Sequence, residues 1–104
     1  MAGIYAAHFF AAFFLVNGIP HFVQGVSGSP FQSPFARPPG VGESSAIVNV
    51  LWGFSNFVIG YVLLFDFGDF VIGLNADTLV TGSAALLTSI ALAWHFQRVR
   101  NSSA

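Results

Sequence analysis

The chain has 104 residues, 55% hydrophobic and only 7% charged, where a typical soluble domain is about 25% charged. Its three basic residues are all Arg, its acids number four, and Cys is absent. That composition excludes a soluble monomer, a nucleic-acid binder, which needs a basic face, and any disulfide or thiolate chemistry. With a mean hydropathy of +0.74 it describes one integral membrane domain, residues 1–104.

The first apolar block runs from about Gly3 to Val26 and carries no charge. Its 24 residues reach about 36 Å as a helix, enough to span a bilayer with tilt. The N-terminus Met1-Ala2-Gly3-Ile4-Tyr5 lacks the basic n-region of a signal peptide, so a retained helix is expected. Pro20 lies inside the pattern and should kink the helix or open its last turn. Residues 27–45 then hold four of the five prolines, with the tandem Ser29-Pro30-Phe31-Gln32 and Ser33-Pro34-Phe35-Ala36 followed by Pro38-Pro39-Gly40. Such backbone has unpaired polar groups and cannot face lipid. It reads as a connector whose Phe31 and Phe35 cover the helix ends or dip into headgroups, with Ser44 and Ser45 as candidate N-caps of the next helix.

Residues 45–65 form the second expected span, uncharged throughout. Residues 66–76 are an acidic, glycine-containing connector with Asp66 and Asp69, too short to hold another crossing. Asn75 is a candidate N-cap and Asp77 suits a first helical turn. The third span covers about residues 77–98 and leaves a tail at 99–104. The expected fold is therefore all-α: a membrane bundle of three transmembrane helices with a Pro-rich loop between the first two.

Three spans place Arg37, Arg98 and Arg100, every basic residue, at one side. By the positive-inside rule that side is cytoplasmic, with the N-terminus and the acidic connector outside. Tyr5, Tyr61 and Trp94 fall near the boundaries as an aromatic belt would; Trp52 lies deeper and needs a packing reason.

Polar side chains inside spans are costly and therefore informative. On the second helix Ser45, Asn49, Gly53, Asn56 and Gly60 share a narrow face, read as a helix-packing seam or a polar lining. On the first helix Asn17, His21, Gln24 and Gly28 group together, with His8 pointing roughly the opposite way and lacking such company. On the third, Asp77, Thr81, Thr88 and His95 share a face. His21 and His95 stand at one depth near the Arg-bearing boundary, where two imidazoles could pair with a metal, a haem or each other. The candidate functional residues are His21, His95, Asn17 and Gln24, with His21 foremost. No catalytic residue is identified, no metal or cofactor is required by the sequence, and haem stays open as an alternative. No carboxylate lies at mid-span, which weighs against a proton-coupled exporter.

The run Asn17-Gly18-Ile19-Pro20-His21-Phe22, then Ser33-Pro34-Phe35-Ala36, Pro38-Pro39-Gly40, Ser44-Ser45 and Val48-Asn49-Val50-Leu51-Trp52-Gly53 resembles a group of small, uncharacterised bacterial membrane proteins. More loosely, Gly18-x-x-His21-Phe22 closing a first helix and Gly60-Tyr61-Val62-Leu63-Leu64 ending a second is similar to DoxX-like proteins. The resemblance implies a bacterial inner (cytoplasmic) membrane and offers a four-helix bundle as the alternative fold, since DoxX-like proteins usually have four helices where the charge map gives three. The expected role is a non-enzymatic accessory or structural component of a membrane assembly, a homo-oligomer or part of a larger complex in the lipid bilayer. A His-dependent redox, haem- or quinone-associated protein is the alternative, and a small-molecule transporter a weaker one.

Overall fold

The computed structural model describes residues 2–103, with side chains described through Asn101. It is all-α in character: α1 spans Ala2–Val26, α2 Ala46–Phe65 and α3 Ala76–Ser103. All three are long and apolar enough to cross a membrane. The four-helix alternative is not supported: residues 66–75 form bends and irregular backbone rather than a helix. Ten residues with two aspartates and two glycines cannot cross a bilayer core, which takes about 20 residues as a helix.

Local signals start and stop the helices. Ser45 is the N-cap of α2, its hydroxyl accepting from the Val48 N–H. Asn75 caps α3, its Oδ1 accepting from the Thr78 N–H at 2.8 Å. Each satisfies a donor that the first helical turn otherwise leaves unpaired. α1 runs unbroken through Pro20 to Val26, so His21 projects from regular helix rather than from an opened turn. α3 continues through the residues read as a tail from position 99; nothing there breaks a helix, and Arg100 in the last turn complements the helix dipole. Ala104, the end of that tail, lies outside the described residues.

The central helix is α1, which packs against both others while α2 and α3 barely meet. The α1–α2 contact is made backbone to backbone. A Cβ on Gly18 would stand 2.7 Å from the Gly53 carbonyl, one on Gly53 2.6 Å from the Phe22 nitrogen, and one on Gly25 2.6 Å from the Ala46 carbonyl. Gly60 closes against Leu15 and the Ala11 carbonyl. Ala11, Gly18 and Gly25 recur every seven residues on α1, as Gly53 and Gly60 do, running the other way, on α2. A seven-residue repeat of small side chains is what lets two antiparallel helices stay in close register.

The Pro-rich loop is folded. Phe31–Gln32 (β1) pairs antiparallel with Glu43–Ser44 (β2). The loop closes further through Gly40 N–H to the Ser33 carbonyl at 2.9 Å and Gly42 N–H to the Pro38 carbonyl at 2.8 Å. Phe31 is buried among His21 and Phe96, and Phe35 sets its ring edge-on to Trp52 at 5.0 Å. The loop thus forms a lid over the Arg-bearing end of the bundle.

Candidate functional site

The site is built at that end, where α1, α2, α3 and the lid converge. Asn49, fully buried on α2, is its keystone. The Asn49 side-chain amide donates to the carbonyls of Phe31, Ser44 and Ser45, each at 3.1 Å. Its nitrogen side is therefore committed to the lid and the start of α2. Its Oδ1 is left to face His21 Nδ1 at 2.9 Å. An amide oxygen only accepts, so the network assigns the proton to Nδ1 of His21 and leaves Nε2 as a bare lone pair in the neutral ring. Among the described residues nothing hydrogen-bonds that Nε2. The ring is wedged edge-on between Phe31, Phe96 and Trp52.

Beside it lies a cavity of about 240 Å³ lined by Asn17 and His21 of α1, Trp52 of α2, Leu92, His95 and Phe96 of α3, and Gln32 to Pro34 and Gly40 of the lid. His95 reaches the lid, with Nε2 donating to the Gly40 carbonyl at 2.8 Å. Asn17 donates to Asn56 Oδ1 at 3.0 Å, and Asn56 donates on to the Trp52 carbonyl at 2.8 Å. Three of the four candidates, Asn17, His21 and His95, are therefore brought together. Gln24 is not: it lies one turn beyond His21, half-buried, and is not part of the lining. The seam residues Asn49, Gly53, Asn56 and Gly60 are all buried against α1.

Among the described residues, two buried side-chain atoms have no hydrogen-bond partner: Gln32 Oε1 and Trp52 Nε1. Both belong to residues lining this cavity. Neither atom is accessible to a water molecule, so neither is presented to the cavity, whose wall is mostly apolar. The depth of Trp52 has its packing reason here, between Phe35 and His21.

A second polar cluster sits at the opposite end. His8, fully buried, places Nδ1 2.7 Å from both carboxylate oxygens of Asp77 and Nε2 2.7 Å from the Phe67 carbonyl. This corrects the expectation that His8 lacks polar company. The face of α1 alone does not show these partners, which come from α3 and from the acidic connector that curls back over the start of α1. Both ring nitrogens face acceptors, so pairing requires a proton at Nε2 and another between Nδ1 and Asp77, whichever of the two carries it. Phe70 packs edge-on against the same ring at 5.4 Å.

Among the described residues, no three of His, Asp and Glu converge as metal ligands would. His21 and His95 share the cavity, but His95 has committed Nε2 to Gly40, so the pair does not present two free Nε2 atoms to a common centre. In comparison with known proteins, the chain matches no family profile, no curated protein sequence and no solved structure.

Proposed function

We propose that the chain is a non-enzymatic accessory component of a membrane assembly whose working part is a ligand-binding cavity under the Pro-rich lid. The observation that carries this reading is a cavity beside His21, whose Nδ1 is anchored by Asn49 and whose Nε2 has no partner among the described residues. A buried polar atom left unpaired costs about 1–3 kcal/mol, and a guest that donates to His21 Nε2 would recover that. The cavity holds the volume of about eight waters at ~30 Å³ each, the scale of a small headgroup rather than of a large cofactor.

The reading extends to orientation. All three Arg lie at the cavity end, so this end faces the cytoplasm and the His8–Asp77 end faces outward under the positive-inside rule. A redox role for the same site is the second reading, favoured by the anchored Nδ1 and open Nε2 of His21, the arrangement of an imidazole ready to ligate.

The test is to purify the chain in mild detergent, extract it and weigh what leaves with it. A small molecule near one per chain, lost in His21→Phe, supports the proposal. Nothing bound, together with no response of the cavity to added lipid extract, overturns it. A visible absorption band lost in His21→Ala would transfer the site to the redox reading.

A further inference from the structure

Leu92 and Phe96 also line a second depression of about 260 Å³ between α1 and α3, bounded by Val16, Ile19 and Pro20 on one side and Ala93 on the other. This groove is apolar. Its one hydroxyl, Ser89, donates to the Ala85 carbonyl of its own helix at 2.7 Å and has no proton to offer a guest. Pro20 has no N–H. The groove opens where the helices are poorly covered: Ile19 of α1 and Ser89 and Ala93 of α3 are exposed, on helices long and apolar enough to cross a membrane.

We infer that the site takes an uncharged, hydroxyl-bearing amphiphile with one hydrocarbon chain, its head in the cavity and its chain along the α1–α3 groove. This rests on the binding reading above and names the ligand's chemistry.

The head is uncharged because no Asp, Glu, Lys or Arg lines the cavity or the groove. An ion placed there would lose its hydration without a counter-charge. The Arg side chains of α3 are engaged with rings, Arg98 over Trp94 and Arg100 over Phe31. The head bears a hydroxyl because the unpartnered polar atom beside the cavity, His21 Nε2, only accepts. A hydroxyl has the proton it needs. A ketone or ester carbonyl has none. A single chain suits a groove of about 260 Å³, one apolar furrow between two helices.

The probe is monoolein, titrated into the full chain in phosphatidylcholine nanodiscs, with binding read by native mass spectrometry. Oleyl alcohol is titrated separately, which tells a glycerol head from a simple alcohol. Saturable one-to-one binding of either is expected. Methyl oleate, which keeps the chain and loses the hydroxyl, should bind about two- to tenfold more weakly, the worth of one hydrogen bond. His21→Phe, which keeps a ring in place and removes the acceptor, should cost monoolein a similar factor. Ala93→Trp, at an exposed position where the added ring meets lipid and fills the groove, should abolish binding with helix content unchanged.

Equal affinity for methyl oleate and monoolein overturns the hydroxyl assignment. Unchanged affinity in Ala93→Trp overturns the groove. Preferential binding of oleoyl lysophosphatidic acid overturns the uncharged head. In each of these cases a ligand still binds, so the binding reading stands while this inference falls. No binding of any probe, and no ligand extracted from the wild type, removes both.

Discussion

His21 Nδ1 and Asn49 Oδ1 lie 2.9 Å apart, 28 residues distant in sequence and both buried. Through this bond the lid, α2 and α1 are joined at one side chain, because the nitrogen of Asn49 holds three carbonyls. Asn49→Leu should therefore do more than remove one interhelical bond. It strands the His21 N–H and releases the Phe31 carbonyl together. The expected loss is about 2–4 kcal/mol in a detergent unfolding titration, from more than one buried group left unpaired. Asn56→Leu, which removes one interhelical bond, should cost about 0.6–2 kcal/mol.

The His8–Asp77 contact should behave as a coupled pair. In a double-mutant cycle of His8→Ala and Asp77→Ala, the interaction energy should fall within about 0.5–3 kcal/mol. Asp77→Asn should be milder than Asp77→Leu, since an amide can still donate to Nδ1 while Nε2 donates to the Phe67 carbonyl. Additive single losses in unfolding experiments would show that the two side chains are independent.

The glycines rank by what surrounds them. Gly53→Ala meets backbone of α1 at 2.6 Å and should destabilise by about 3 kcal/mol or more, beyond the usual overpacking range because backbone cannot step aside. Gly60→Ala meets the flexible Leu15 side chain and should cost less. Gly82→Ala, with nothing within 4 Å of its added Cβ, should be neutral or slightly stabilising in a helix. Thermal melts of the three variants in detergent give the order.

Three crossings put the two ends of the chain on opposite sides. A reporter fused after Ala104 should read cytoplasmic, and one inserted near Gly73 external. Two reporters on the same side would contradict the three-span topology.

How far the sequence carried this account differs from element to element. The three spans were legible because lipid enforces long uncharged runs, and the charges at Arg37, Asp66, Asp69 and Asp77 punctuate them. The packing face Asn49–Gly60 was legible because a polar side chain in a span must find a partner. Its α1 counterpart was missed, although Ala11, Gly18 and Gly25 repeat at the same seven-residue interval and would have revealed it. The lid hairpin was not legible: two-residue strands have no periodicity, and the prolines of the loop argue against strands. His8 was misjudged because one helix's face says nothing of what the next connector brings to it. Depth alone was the available signal, since His8 and Asp77 both lie within about two turns of the same end. The cavity could not be read at all, because it depends on Trp52 and Gln32 from elements whose mutual placement the sequence leaves open.

The central claim is that the wall around His21 binds a polar guest, and Trp52 reports it directly. The chain has two tryptophans, and Trp94 is exposed, outside the cavity. In protein labelled with ¹⁵N at the indole nitrogens, Trp94→Phe assigns the two Nε1–H resonances. Adding monoolein should move the Trp52 resonance, because the Trp52 side chain lines the occupied cavity, and leave that of Trp94 in place. A Trp52 resonance unmoved by monoolein and by total lipid extract alike would contradict the account.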